Sequence, residues 1–292
     1  MAVMTMRSLM YVRPGEVIGC VGCHESQASA SPATGYSLSG IAVSTPQPLP
    51  GPRYEGGFSF MRSVQPVLDR HCIRCHGLGE KPAGNLNLLG DQAYASLTGR
   101  PGLVAIALSN QETYTSVAKD YFAHAGRLAA ILLKGKMGDH HIDIPRDDMD
   151  RIIAWLDLNG QQFGDYSFNR VENRTADPEG EHRLRAAVRQ RFGDALAERP
   201  FAALVNVGQP DASPILRAPL AVKAGGWGQV ADVKWDSEQH PQYQRFKQLV
   251  AAAITPLPHT DLQGTCAQQP CVCGSCWVRK LTQRPESPAR TE

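Results

Sequence analysis

The chain has no marked excess of either charge: 30 Lys and Arg face 28 Asp and Glu, for a net charge of +2. Without a basic surplus there is no electrostatic reason to expect nucleic acid or an anionic membrane surface as a partner. No apolar run approaches the roughly 20 residues that a membrane-spanning helix needs. A secretory leader is also missing from the N-terminus. Such a leader needs a basic start and about 7–15 apolar residues before small ones, but Ser8–Val12 is short and Arg13-Pro14 interrupts it. We read the chain as a piece of a longer protein, or as one begun at too late a start codon. The alternative is a cytosolic protein that never carried a leader. A hydrophobic share of 42% and a charged share of 20% exclude a disordered or fibrous class. The length of 292 residues suits one large domain or two modest ones.

What the chain does have is cysteine in an unusual arrangement. Its eight cysteines fall into three groups: Cys20-Val-Gly-Cys23-His24, Cys72-Ile-Arg-Cys75-His76, and Cys266, Cys271, Cys273 and Cys276. In the pattern C-x-x-C-H, two thiols spaced along one helical turn can each add across a vinyl group of haem. The adjacent histidine then lies under the iron and supplies the proximal nitrogen. With eight Cys and nine His, about 0.007 chance matches are expected, and the chain has two. Two other readings stay open. Cys20, Cys23, Cys72 and Cys75 could share one tetrathiolate zinc. However, the separation between the pairs is longer than a compact zinc ribbon uses, and zinc gives no reason for a histidine after each pair. A thioredoxin-like dithiol would want a βαβ context, which Arg13-Pro14-Gly15 does not suggest.

Residues 1–52 read as the first haem-binding segment followed by a Ser-, Ala-, Pro- and Gly-rich linker. A second unit, 53–168, opens with Phe60, Met61, Val64, Val67 and Leu68 at helical spacing, leading into Cys72. Residues 77–90 read as loop. A helix is predicted at Arg127–Lys134, with Leu128, Ile131 and Leu132 on one side. Another follows Pro145, with Asp147 and Asp148 in its first turn and Met149, Ile152, Ile153 and Leu156 as its stripe. It ends at Asn159-Gly160. The order of helix, motif, loops, helix, ligand loop and closing helix resembles a class I cytochrome c over about residues 58–166. The fold class expected is mainly α, a cytochrome c-like helical domain with long irregular haem-wrapping segments and few short strands. In that fold the sixth iron ligand comes from the loop before the last helix, here Lys136-Met137-Gly138-Asp139-His140-His141. His140 or His141 is the expected distal ligand and Met137 the alternative. His/His ligation lowers the potential relative to His/Met. His71 and His124 are weaker candidates.

A mixed helical region, 169–262, carries predicted helices at Glu181–Leu196 and Tyr243–Ile254. Between them Gly225-Gly226-Trp227-Gly228 marks a tight turn near short strands. No catalytic motif stands out there. His182, His240 and His259 read as surface residues that could ligate the first iron. In the Cys-rich segment 263–282, Cys266, Cys271, Cys273 and Cys276 suit two disulfides, a zinc ion, or free thiols. Trp277 stands where a third haem histidine would be. Residues 283–292 read as a disordered tail.

Three stretches carry a wider resemblance: Arg13–Glu25 around the first motif, Ser63–His76 around the second, and Cys271-Val-Cys-Gly-Ser-Cys-Trp-Val-Arg279. Together they resemble the C-terminal, haem-bearing part of proteins related to the hydrazine synthase alpha subunit. The resemblance implies a domain upstream of the first haem. It also implies a catalytic-type haem on Cys20, Cys23 and His24, and a bis-histidine transfer haem on Cys72, Cys75 and His76. One departure matters. The family's catalytic haem takes a tyrosine ligand soon after its motif, whereas residues 25–35 here contain no tyrosine and the first one after His24 is Tyr36. The haem sites therefore carry over and the reaction does not. The expected function is that of a dihaem c-type cytochrome passing electrons to redox partner proteins or other subunits in the periplasm or another extracytoplasmic space. The alternative is a haem enzyme whose Cys20/Cys23 haem keeps an open position for a small nitrogen or oxygen substrate. A structural zinc protein without haem is the third reading.

Overall fold

A π-helical turn at Phe60–Val64 runs without a break into α1, Gln65–His71, and then into α2, Ile73–His76. The computed structural model of the chain describes residues 1, 54, 57–79, 81–106, 119–134, 140, 142–164, 170–230, 232 and 235–257. Those residues are mainly helical, as the sequence predicts. Extended pairing among them is confined to isolated bridges, Ala105 with Phe122, Ala176 with Ile254 and Leu220 with Trp235. None of their helices is long and apolar enough to cross a membrane.

In the first unit α1 is followed by α3 (Gly90–Thr98), α4 (Phe122–Ala125), α5 (Arg127–Lys134) and α6 (Arg146–Asp157). Phe60, Val64, Val67 and Leu68 form the predicted apolar stripe and are buried with Leu97, Ile152, Trp155 and Leu156. Pro145 precedes the first turn of α6, where Asp147 and Asp148 face the positive end of the helix dipole. The helix stops at Asn159 and Gly160, both left-handed at φ 64° and 59°, and the Gly160 N–H returns to the Trp155 carbonyl at 2.9 Å. Trp155, absent from the predicted stripe, is fully buried. Its ring lies 5.0 Å from that of Phe60, and its indole donates to Gln161 O at 2.9 Å. The two ends of the unit meet where Gly57 N–H donates to Gly164 O at 3.1 Å. A Cβ on Gly164 would lie 2.1 Å from Gly57 O, so only glycine fits.

The second apolar cluster is built by α7 (Pro178–Phe192), α8 (Asp194–Ala197), α9 (Phe201–Leu204), α10 (Pro214–Arg217) and α11 (Pro241–Ala252). It gathers Leu184, Val188, Leu216, Trp235, Tyr243, Phe246 and Val250. The helix expected over Glu181–Leu196 starts earlier, with Asp177 as cap accepting Gly180 N–H at 2.8 Å. It breaks at Gly193, whose φ of +92° no helix contains. The helix expected over Tyr243–Ile254 starts at Pro241, behind His240 Nδ1, which accepts Gln242 N–H at 3.2 Å. The turn after Val222–Ala224 is made by Gly225 at φ +83°, but the strands expected beside it reduce to the single Leu220–Trp235 bridge. Helices α3, α4, α9 and α10 had no clear signal in the sequence, and α3 begins at the end of a stretch read as loop.

The α1 and α6 helices are tied by one carboxylate. Asp148 Oδ2 accepts from His71 Nε2 at 2.8 Å and from Arg70 Nη1 at 3.2 Å, and Asp148 Oδ1 pairs with Arg151. Burial alone would raise this carboxyl, but the His71 hydrogen bond and the Arg151 charge outweigh it and hold it below its usual value. The stabilisation is therefore complete at neutral pH and is lost only as pH falls below the unfolded value of 3.8. Replacing Asp148 by Ala leaves three donors facing a buried gap and is expected to cost about 3–5 kcal/mol. Urea unfolding of the full chain, followed by far-UV circular dichroism, measures it. A loss under about 1 kcal/mol would mean that the carboxylate does not carry the joint.

Candidate haem-attachment site

The second cysteine motif sits on one turn at the end of α1. Cys72 N–H donates to Leu68 O at 2.8 Å, and His76 N–H donates to Cys72 O at 3.0 Å. The thiols of Cys72 and Cys75 and the imidazole of His76 are thereby fixed to one short helical segment that continues a buried helix. Cys72 is buried and Cys75 is exposed, and both are free thiols. Burial, then the nearby Asp69 and Cys75, push the Cys72 thiol up to about 12.

Below the motif, the loop 81–89 folds back against it. Leu88 N–H donates to His76 O at 2.7 Å, and His76 Nδ1 donates to Ala83 O at 3.0 Å. That bond assigns the Nδ1 proton and leaves Nε2 as the nitrogen able to bind a metal. Burial, the neighbouring His140 and Arg100 hold the imidazole below its ordinary value, against the pull of the Ala83 hydrogen bond. His76 is consequently neutral at pH 7, the form a metal requires.

His140 stands opposite, its ring centre 6.1 Å from that of His76 and its plane within 8° of parallel. The separation is compatible with both imidazoles reaching one iron, to which each would have to bind through a ring nitrogen at about 2.0 Å. The described residues contain no group of three or more His, Cys, Asp and Glu able to hold a metal ion. Cys72, Cys75, His76 and His140 would make a zinc set in kind but are not gathered around one point, whereas a porphyrin supplies four of the six iron ligands itself and asks only for the two imidazoles.

The other predicted site residues divide in two. His71 is committed to Asp148, His240 caps α11, and His182 is exposed on α7. Cys20, Cys23, His24, Met137, His141, His259 and Cys266, Cys271, Cys273 and Cys276 lie outside the described residues. The sequence reading did not single out Gln65 and Asp69, which are buried on the face of α1 opposite its apolar stripe. Gln65 Nε2 donates to Asp69 Oδ1 at 2.8 Å and to Leu88 O at 2.9 Å, so this pair also anchors the loop that orients His76. Their i, i+4 spacing was visible, but nothing in it showed that this face would be covered. A cavity of about 740 Å³ lies on the Gln65 and Asp69 side, and Cys72, Cys75, His76 and His140 do not line it. It belongs to the packing of the two units rather than to the motif. Compared with family models, with curated proteins and with solved structures, the chain shows no significant match.

Desolvation lifts the Asp69 carboxyl to about 8, against the Gln65 hydrogen bond. The folded chain therefore keeps this proton up to about pH 8, while the unfolded chain releases it near 3.8. Between those values the folded state holds the extra proton, and stability falls as pH rises. Asp69→Asn removes the ionisation at constant shape. Relative to the unmodified chain it is expected to gain on the order of 2–3 kcal/mol at pH 8 over pH 5. Urea midpoints at the two pH values test it, and parallel pH profiles for the two proteins would refute the assignment.

Proposed function

We propose that this chain is a c-type cytochrome that passes single electrons, with one haem joined to Cys72 and Cys75 and bound axially by His76 and His140. The observation that carries the reading is the imidazole pair, 6.1 Å apart and 8° from parallel, with one partner inside the C-x-x-C-H turn. The Ala83 hydrogen bond that orients His76 supports it, as does the placement of Cys72 and Cys75 on the same turn. Haem supplies a one-electron couple, and two imidazole ligands place it in the lower range of c-type potentials. The chain's own contribution is to hold both rings parallel, keep His76 neutral, and bury one side of the attachment turn.

The second motif of the pair, Cys20, Cys23 and His24, completes a dihaem protein in the same proposal. The relation to the hydrazine synthase alpha subunit, the cytochrome c-like fold of residues 53–168 and an extracytoplasmic location belong to it as well. So do redox partner proteins or further subunits, and disulfides or zinc at Cys266, Cys271, Cys273 and Cys276. Electron transfer is preferred to a substrate reaction because a haem held by both His76 and His140 would keep no open position.

Expression behind an added export signal, in a host with c-type haem maturation, tests the reading directly. Intact mass and the pyridine haemochrome should give two haems per chain, resistant to acid-acetone extraction. His140→Ala should keep both covalent haems but turn one from low-spin to a form that binds cyanide. His141→Ala and Met137→Ala should leave that haem low-spin. A chain that matures without covalent haem, or that binds zinc instead, would refute the proposal.

A further inference from the structure

Where α1, α6 and α10 meet, a hollow of about 270 Å³ is lined by Arg70, Arg151, Arg217, Asp148 and Trp227, among others. Three arginines thus line a space that one carboxylate residue also lines. That carboxylate is already shared by Arg70, His71 and Arg151. Arg217 is steadied from outside the lining, by Glu238 Oε1 at 2.9 Å and by Asp211 O at 2.6 Å. Each guanidinium carries five N–H donors, more than the Asp148 and Glu238 carboxylates and the Asp211 and Ser63 carbonyls take up. Among the lining residues three guanidinium groups stand against the one carboxylate of Asp148.

We propose that this hollow binds a small inorganic oxyanion of the phosphate or sulfate type, held by Arg70, Arg151 and Arg217. Guanidinium forks match the paired oxygens of such anions, and a site partly closed to water strengthens each contact. The volume admits a tetrahedral oxyanion with a few waters but falls short of the roughly 300–1,000 Å³ that larger ligands occupy. The arginines come from different parts of the chain, Arg70 and Arg151 from the helices beside the cysteine motif and Arg217 from the end of α10. A bound oxyanion would therefore bridge the two apolar clusters and stabilise the folded chain by linkage. The inference stands on the guanidinium placement and holds whether or not the chain carries haem.

Isothermal titration of the full chain with phosphate, and separately with sulfate, tests it at constant ionic strength in chloride. Saturable binding at one site and a rise in melting temperature are expected. Arg217→Gln removes one fork, and Ala212→Leu fills part of the hollow without changing its charge. Each should weaken binding tenfold or more, while Arg191→Gln, exposed on α7, should not change it. Acetate and nitrite in place of phosphate separate a tetrahedral preference from a planar one. No saturable binding to the unmodified chain would overturn the proposal. So would unchanged affinity in either variant that folds, as judged by circular dichroism.

Discussion

Asp148 is the group on which the arrangement around the cysteine motif depends. A carboxylate buried in a protein interior is unfavourable unless its oxygens are paired, and here they take donors from Arg70 and His71 on one helix and Arg151 on its own. Because Arg70 and His71 immediately precede Cys72, the joint between α1 and α6 and the placement of the cysteine turn depend on the same ion cluster. Apolar packing of Phe60, Leu68, Ile152 and Trp155 supplies the attraction between these helices, but it is non-directional. The shared carboxylate adds the direction.

The second constraint is that α1 is covered on more than one side. Its apolar stripe meets α3 and α6, while the opposite side, with Gln65 and Asp69, is covered as the second unit approaches. Asn206 Nδ2 donates to Met61 O at 2.9 Å, Arg62 Nε to Gln209 Oε1 at 3.2 Å, and Gln229 Nε2 to Arg70 O at 3.2 Å. A carboxyl caught there loses its hydration, which is why Asp69 keeps its proton far above the ordinary carboxyl range. The same approach creates the arginine-lined hollow, since Arg217 joins Arg70 and Arg151 only when the two units meet.

Much of the helical framework was legible in the sequence for local reasons. The 3.6-residue stripes of α1, α5 and α6, the Pro145 entry and the Asn159-Gly160 exit are all signals that act within a few residues. Gly193 was equally visible, yet a helix was read across it, because a glycine inside an amphipathic pattern ends a helix only when the backbone takes a positive φ. The short helices α9 and α10 were missed because four residues carry no readable periodicity. Trp155 was left off the stripe because one residue's burial depends on what faces it, here Phe60 and Tyr94.

The sequence by itself determined that Cys72, Cys75 and His76 would fall on one turn, for C-x-x-C-H is local whatever surrounds it. It also pointed to the loop 136–141 for the residue facing His76, without choosing within it. Only the tertiary structure decided that His140 faces His76, that His71 serves Asp148 rather than a metal, and that Gln65, Asp69 and three arginines are gathered around α1. Periodicity reports which face of a helix is apolar. It cannot report what will cover the other face, or which distant side chain will arrive there, because both follow from packing between segments far apart in the chain.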